Sequence, residues 1–332
     1  MHDHSQIKLT YLAGTSYCGP TLLAFLLDSH PRVVSVGETS INRSGQKSGK
    51  VNYVCSCGSI LRDCAFWHGL FRMVREEGLE FGAHSWTNDY KYKNAILHKL
   101  LSTYPSNIPL RMFQNIACHL LPFHKRRVEY ANRVNIAFME SALKLTRTEV
   151  FFDTSKALMR LSHLLRMPAL DVQVVRVVRD VRAFANSYKS RGVSVEQAAR
   201  HWKNYQVSAD YLLNTTPSCQ VLLMRYEDFC HDPFYWLKSL HTFLGVQPLD
   251  PPETITPNEH HIIGNHMRLQ KITAITANQT WREKLSGTEL RQILQIAGDM
   301  NERFGYHENV QEEERPPNQR VTSVLGEGVC DP

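Results

Sequence analysis

Residues 9–38, LTYLAGTSYCGPTLLAFLLDSHPRVVSVGE, decide how the rest of this 332-residue chain is read. Ile7, Leu9, Tyr11 and Leu12 make the apolar run of a first strand and Gly14 to Pro20 a glycine-bearing loop. Thr21 to Leu27 follow as an almost wholly apolar helix, and Val33 to Val36 as a short buried strand. A loop in front of a helix start turns backbone N–H groups toward an anion, with the positive end of the helix dipole behind them. Gly14, Gly19 and Thr21 have Walker-A spacing, yet Pro20 stands where that motif carries lysine. The missing cation counts against an ATP-dependent kinase. Backbone N–H groups of Cys18, Gly19 and Thr21 still suit a nucleotide that offers a single 5′-phosphate here. The proline also has a purely structural reading, because its fixed φ and missing N–H are tolerated in a first helical turn.

Beyond this stretch, strands alternate with helices. Val150 to Phe152 ends in Asp153, Thr154, Ser155 and Lys156; Val172 to Val178 ends in Arg179 and Asp180; Gln220 to Met224 ends in Arg225, Tyr226, Glu227 and Asp228. That alternation predicts an α/β fold, three layers with a central parallel sheet and ligands beyond the carboxyl ends of the strands. The Gly14 loop, Glu38, Ser155, Lys156 and Arg179 are then expected to be neighbours in space. Residues 70–147 read as a helical insertion, a candidate wall for a substrate pocket, with breaks near Pro105, Pro109 and Pro122. The polar segment His260 to Trp281 is expected to fold over the site as a lid. One domain over residues 1–310 is expected, followed by a disordered tail at 311–332, which is acidic, then proline-bearing and short of apolar residues.

The net charge of +6 is mildly basic, which fits an anionic ligand better than a dedicated nucleic-acid binder. The opening MHDHSQIKLTYL has no secretory-signal pattern and no apolar run approaches a membrane span, so a soluble, cytoplasmic protein is expected. Eight cysteines do not look like a disulfide scaffold in a chain this long. Cys55, Cys57, Cys64 and His68 nevertheless have the residue types of a tetrahedral zinc site. Cys-x-Cys is awkward for two ligands on one ion unless the turn is tight. A free-thiol loop without metal is therefore the expectation, with the zinc site as its alternative.

With these motifs in order, residues 7–305 resemble the sulfotransferases that use 3′-phosphoadenosine-5′-phosphosulfate (PAPS), their bacterial branch above all. YCGPTLLAFLLDSHPRVVSVGE is similar to the family's 5′-phosphosulfate loop, and VVRVVRDVRAFANSYKSRG to its 3′-phosphate segment. DTSKALMRLSHLL, RYEDF and the CSCG…C.FW run also resemble this branch. The resemblance implies a nucleotide-kinase-like fold with a five-stranded sheet, and transfer of a sulfuryl group to an acceptor hydroxyl or amine, leaving adenosine 3′,5′-bisphosphate (PAP). It places Tyr17, Cys18, Gly19, Pro20, Thr21 and Leu22 around the 5′-phosphate, and Arg179 and Ser187 on the 3′-phosphate with Arg268 as a second cation. Trp202 would stack on adenine, unless it is a core residue.

The resemblance further implies a base, and Glu38 matches a glutamate of the tyrosylprotein branch; a structural salt bridge is its other reading. Lys156 would supply positive charge. The expected acceptor is a small molecule or carbohydrate, with no nucleic acid, membrane or required metal. Most of the family carries lysine or arginine where this chain has Tyr17, whose hydroxyl donates a hydrogen bond but no charge. That departure leaves open a PAPS- or PAP-binding protein with weakened catalysis, beside the less favoured small-molecule kinase.

Overall fold

Parallel strands bury both faces, so they need apolar runs and helices on either side. The computed structural model describes residues 6–39, 53–83, 85–216 and 218–307. Residues 40–50 and the tail expected at 311–332 lie outside the described residues. In chain order the elements are β1 (Ile7–Gly14), α1 (Pro20–Asp28), β2 (Val33–Gly37), α2 (Ala65–Glu76), α3 (Ala95–Leu101), α4 (Ile108–Leu120), α5 (Pro122–Thr146) and β3 (Val150–Asp153). There follow α6 (Leu158–Leu164), β4 (Leu170–Val178), α7 (Val181–Lys189), α8 (Val195–Asn214), β5 (Gln220–Arg225), α9 (Tyr226–His231), α10 (Pro233–Phe243), α11 (Trp281–Lys284) and α12 (Gly287–Arg303).

The five strands form one sheet in the order β2-β3-β1-β4-β5, every neighbour parallel. Central β1 pairs with both sides, Leu9 opposite Phe151 on β3 and Val172 on β4. Its alternation divides the core. Leu9, Tyr11 and Ala13 join a cluster with Trp67, Phe138 and Leu161, while Leu12 joins Phe25 and Leu240 in another. A third cluster, with Phe184, Trp202 and Ile293, holds α7, α8 and α12 together beside the sheet. Because the strands share one direction, Gly14, Gly37, Asp153, Val178 and Arg225 end along a single edge.

The insertion consists of α2 to α5. Its breaks fall at helix boundaries: Pro105 lies between α3 and α4, Pro109 sits in the first turn of α4 behind the Asn107 cap, and Pro122 opens α5. The region expected as a lid differs in its first part. Ile262 and Ile263 are fully buried, and Ile263 pairs with Gly37 through its N–H to the Val36 carbonyl at 2.9 Å. Glu38 in turn donates its N–H to the Ile263 carbonyl at 3.0 Å. Two adjacent isoleucines amid histidines and asparagines were enough to draw that stretch into the core.

His163 on α6 is buried with its ring stacked on Tyr90 at 4.2 Å. Burial, reinforced by the nearby Arg166 and His124, holds its pKa down to about 3. An unfolded histidine titrates near 6.5, so between these values the unfolded chain binds more protons, and stability falls as pH drops from about 6.5 toward 3. His163→Phe, which preserves the stack, should flatten this decline by up to ~1.4 kcal/mol per pH unit. Urea unfolding between about pH 4 and about pH 7 checks it; an unchanged slope would assign the acid sensitivity elsewhere.

Candidate active site

The loop after β1 is shaped by backbone constraints. A Cβ on Gly14 would come within 2.7 Å of Cys18 Sγ and 2.8 Å of the Val177 carbonyl, so only glycine lets the loop close against β4. Gly19 caps α1 with φ 76°, and Tyr17 is also left-handed at 66°. Pro20 occupies the first turn without an N–H, leaving those of Thr21 and Leu22 with no intrahelical acceptor. The buried hydroxyls of Thr15 and Thr21 have no partner among the described residues. Such orphaned donors at a helix start suit an anion. Cys18 is fully buried and burial pushes its thiol up to about 12, which argues against a nucleophilic thiolate.

Arg179, just past β4, reaches across to this loop. Its Nη1 donates to the Tyr17 carbonyl at 2.7 Å and lies 3.4 Å from the Ser187 hydroxyl, which α7 presents two turns later. The guanidinium is mostly buried over the Tyr226 ring, and its Nε has no partner among the described residues. Trp202 stands behind it, fully buried, donating its indole N–H to the Arg179 carbonyl at 2.9 Å. Its place is therefore in the third core cluster, bracing the arginine, and it offers no face for adenine.

Arg268 is held by backbone carbonyls of two segments. It donates to the carbonyls of Val54, Gly264 and Asn265 at 2.8, 3.0 and 2.9 Å and lies over Tyr53. Among the described residues no hydrogen bond or ion pair joins it to Arg179 or Ser187. Its charge fastens the segment around Tyr53 to that around Gly264.

Glu38 and Lys156 meet as an ion pair, Nζ to Oε1 at 2.6 Å, with 32% and 12% of their side chains exposed. Lys156 is left-handed at φ 65° and its carbonyl accepts the Tyr205 hydroxyl. Beneath them lies a buried network centred on Asp153. Its carboxylate accepts the Thr39 hydroxyl at 3.0 Å, the Ser155 N–H at 2.9 Å and Arg160 Nε at 2.9 Å. Arg160 continues to the Asn88 carbonyl, and the Asn88 amide to the Thr39 carbonyl. The residue after Glu38 and the residue before Lys156 thus hang on one carboxylate.

These parts converge. A Cβ on Gly264 would lie 3.0 Å from Thr21 Oγ1 and 4.0 Å from Glu38 Cγ, which brings the helix start and the Glu38 side chain to one glycine. A cation absent from the expected set stands nearby: Arg191, exposed after α7, lies 4.9 Å from the centre of the Tyr17 ring. Burial keeps the Tyr17 hydroxyl protonated, with Arg191 opposing. The signal in the sequence was its spacing, one helical turn beyond Ser187. A cavity of about 340 Å³ lies elsewhere, lined by insertion residues such as Arg111 and Gln114 together with Tyr211, and shares none of the strand-end residues.

The cysteine cluster gathers a different histidine from the expected one. Cys55, Cys57 and Cys64 meet His261, while His68 is exposed on α2. Hydrogen bonds within the group, from Cys55 first, hold the Cys64 thiol below the ordinary thiol range.

A parallel sheet of this order, with a glycine-bearing loop and unpartnered donors at a helix start and an arginine at the end of the neighbouring strand, defines an αβα protein of the phosphate-loop class. The sulfotransferase domain family model matches residues 113–292, more than half of the 332 residues, and the chain belongs to that family. The match takes in Lys156, Arg179, Ser187 and Arg268 and leaves the Gly14 loop and Glu38 outside. Among curated proteins the chain is similar to carbohydrate sulfotransferase 5 of Mus musculus, 26% identical over 172 residues. That likeness covers 43% of this chain and 44% of the mouse protein, so the chain spans less than half the length of that relative. Among solved structures, the sulfotransferase domain of the Synechococcus PCC 7002 olefin synthase is 17% identical with a TM-score of 0.47, covering 90% of this chain and 96% of that one. The sulfotransferase domain from the curacin biosynthetic pathway is 15% identical with a TM-score of 0.45, covering 89% and 98%. No helix among the described residues is long and apolar enough to cross a membrane.

Removing the Asp153 carboxylate would strand a fully buried guanidinium. Asp153→Ala should cost about 3–5 kcal/mol in denaturant unfolding, whereas Lys156→Ala, which breaks the more exposed pair, should cost well under half of that. Equal losses would mean the network is not the anchor.

Proposed function

We propose that this chain transfers a sulfuryl group from PAPS to a hydroxyl of a small-molecule or carbohydrate acceptor, leaving PAP. The observation that carries the reading is the convergence around Gly264 and Arg179. An anion-receptive helix start, a second cationic cradle and a carboxylate paired with an ammonium share the carboxyl edge of the sheet. Family membership supports the reaction class, and the name of the mouse relative supports a carbohydrate among the acceptors. Orphaned donors fit the donor nucleotide: Gly19, Thr21 and Leu22 with the neighbouring backbone of Cys18 would hold the 5′ end, and Arg179 and Ser187 the 3′-phosphate.

The acceptor oxygen forms its bond to sulfur as the bond from sulfur to the 5′-phosphate oxygen breaks, and the hydroxyl proton must go to a base. Glu38 takes that part in this reading, positioned by Thr39 on the Asp153 network. Lys156 and the Tyr17 hydroxyl supply hydrogen bonds to oxygens that gain charge, and Arg191 supplies the cation that Tyr17 lacks. An ATP-dependent kinase is disfavoured by Pro20, which stands in the place of the phosphate-binding lysine.

A thermal-shift titration tests the reading, since a ligand held only by the folded state raises the melting temperature. PAP should shift it at concentrations where ATP with magnesium and adenosine 5′-monophosphate do not; a preference for ATP would overturn the proposal. Arg179→Ala should weaken PAP about ten- to hundredfold, the loss of a charge-assisted contact. Glu38→Gln should bind PAP as before and lose roughly 10²- to 10⁴-fold in sulfate transfer, and full activity there would remove Glu38 as the base.

For Arg191→Ala the expected signature is a lower turnover with PAP affinity little changed, read from kcat and from the same titration. Unchanged kcat would leave Tyr17 working without that cation.

A further inference from the structure

Three cysteines from one loop and a histidine some two hundred residues later meet at one point. Cys57 Sγ lies 3.6 Å from Cys64 Sγ, and Nδ1 of His261 lies 3.4 Å from Cys64 Sγ and 4.0 Å from Cys55 Sγ. All four atoms fall within 4.8 Å of one another. Bond lengths of ~2.3 Å to sulfur and ~2.0 Å to nitrogen give a tetrahedron with edges of roughly 3.5 to 3.8 Å, the same scale as these separations. We propose that Cys55, Cys57, Cys64 and His261 form a closed Cys₃His site for a structural zinc ion.

The local backbone explains how Cys-x-Cys can aim two sulfurs at one centre. Cys55 donates its N–H to the Ser59 carbonyl at 2.9 Å, Gly58 donates back to the Cys55 carbonyl at 3.0 Å, and Gly58 is left-handed at φ 86°. Val54 and Ile60 pair across this turn as a short antiparallel bridge. The turn is therefore as tight as two neighbouring ligands need. Cys64 is the N-cap of α2, where the helix start favours a thiolate.

The imidazole is equally fixed. Its ring lies flat on Phe66 at 4.6 Å, and the His261 carbonyl accepts the indole N–H of Trp67 at 3.1 Å. Two of the cysteines are fully buried or nearly so, and the other two ligands are partly buried, which shields the centre. Four protein ligands and no open position mark a structural ion and not a catalytic one. Zinc at this point neutralises thiolate charge that would otherwise crowd a mostly buried spot.

The ion's role follows from what the two segments hold. Ser56 exchanges hydrogen bonds with the chain at His260 and Ile262, and Tyr53 with Gly264. Ile263, between those anchors, pairs with Gly37 and accepts the Glu38 N–H. The site thus clasps the 53–64 loop to the stretch that fixes Glu38, with the stability gain of a long-range cross-link.

Metal analysis of the full chain purified without chelator should find about one zinc per chain, retained on dialysis. Cobalt(II) in its place should show the intense visible bands of tetrahedral thiolate coordination, a readout independent of any activity. His261→Ala should lose most of the metal, His261→Cys should keep it, and His68→Ala should be indistinguishable from the parent. Chelation should lower the melting temperature of the parent and leave that of His261→Ala little changed. Zinc well below one equivalent, a Cys57–Cys64 disulfide found by mass spectrometry in freshly purified reduced protein, or metal that survives in His261→Ala and disappears in His68→Ala would each overturn the proposal.

Discussion

The Asp153 carboxylate is the constraint on which the candidate active site rests. It is wholly buried at the end of β3, and so is the Arg160 guanidinium that answers it. A charge pair so placed contributes little net stability, because desolvation offsets most of its attraction, but either partner alone would be costly to bury. The pair therefore acts as a specification. Thr39, Ser155 and Asn88 must all be in position to meet its lone pairs and N–H groups, and they bring three separate segments together. Glu38 and Lys156 inherit their proximity from that requirement.

Much of the fold was legible because parallel strands carry a strong signature. Val172 to Val178 and Val33 to Val36 are apolar on both faces, each followed by residues that cannot stay in a sheet, and β4 and β2 appear there within two residues. The loop and Arg179 were legible for the same reason, since each follows a strand end. Trp202, Arg268 and His261 were not. A tryptophan on an amphipathic helix has no mark that tells a core from a ligand platform, and only the third cluster, closed by α12 from the far end of the chain, decides it. Arg268 and His261 act on a loop some two hundred residues earlier, a pairing that no local pattern encodes.

The insertion shows a second limit. Its helices were visible from their periodicity, yet a cavity of about 340 Å³ opens among α4, α6 and α8 and not at the strand edge. Arg111 there is mostly buried against the Tyr211 ring at 3.6 Å. The same elements that wall the domain therefore spend polar residues on internal packing, and composition alone does not separate that use from an acceptor pocket.

The hydrogen bond from Arg179 to the Tyr17 carbonyl has one more consequence. On the proposed reading of the site, it makes the distance between the two phosphate-binding ends a property of the scaffold, held by Trp202 behind and by the closed turn at Gly14 in front. The site then works as a caliper with fixed jaws. A ligand with charge at both ends and the right span meets preorganised partners without moving them, while one that is too short can occupy only one jaw and forfeits the other.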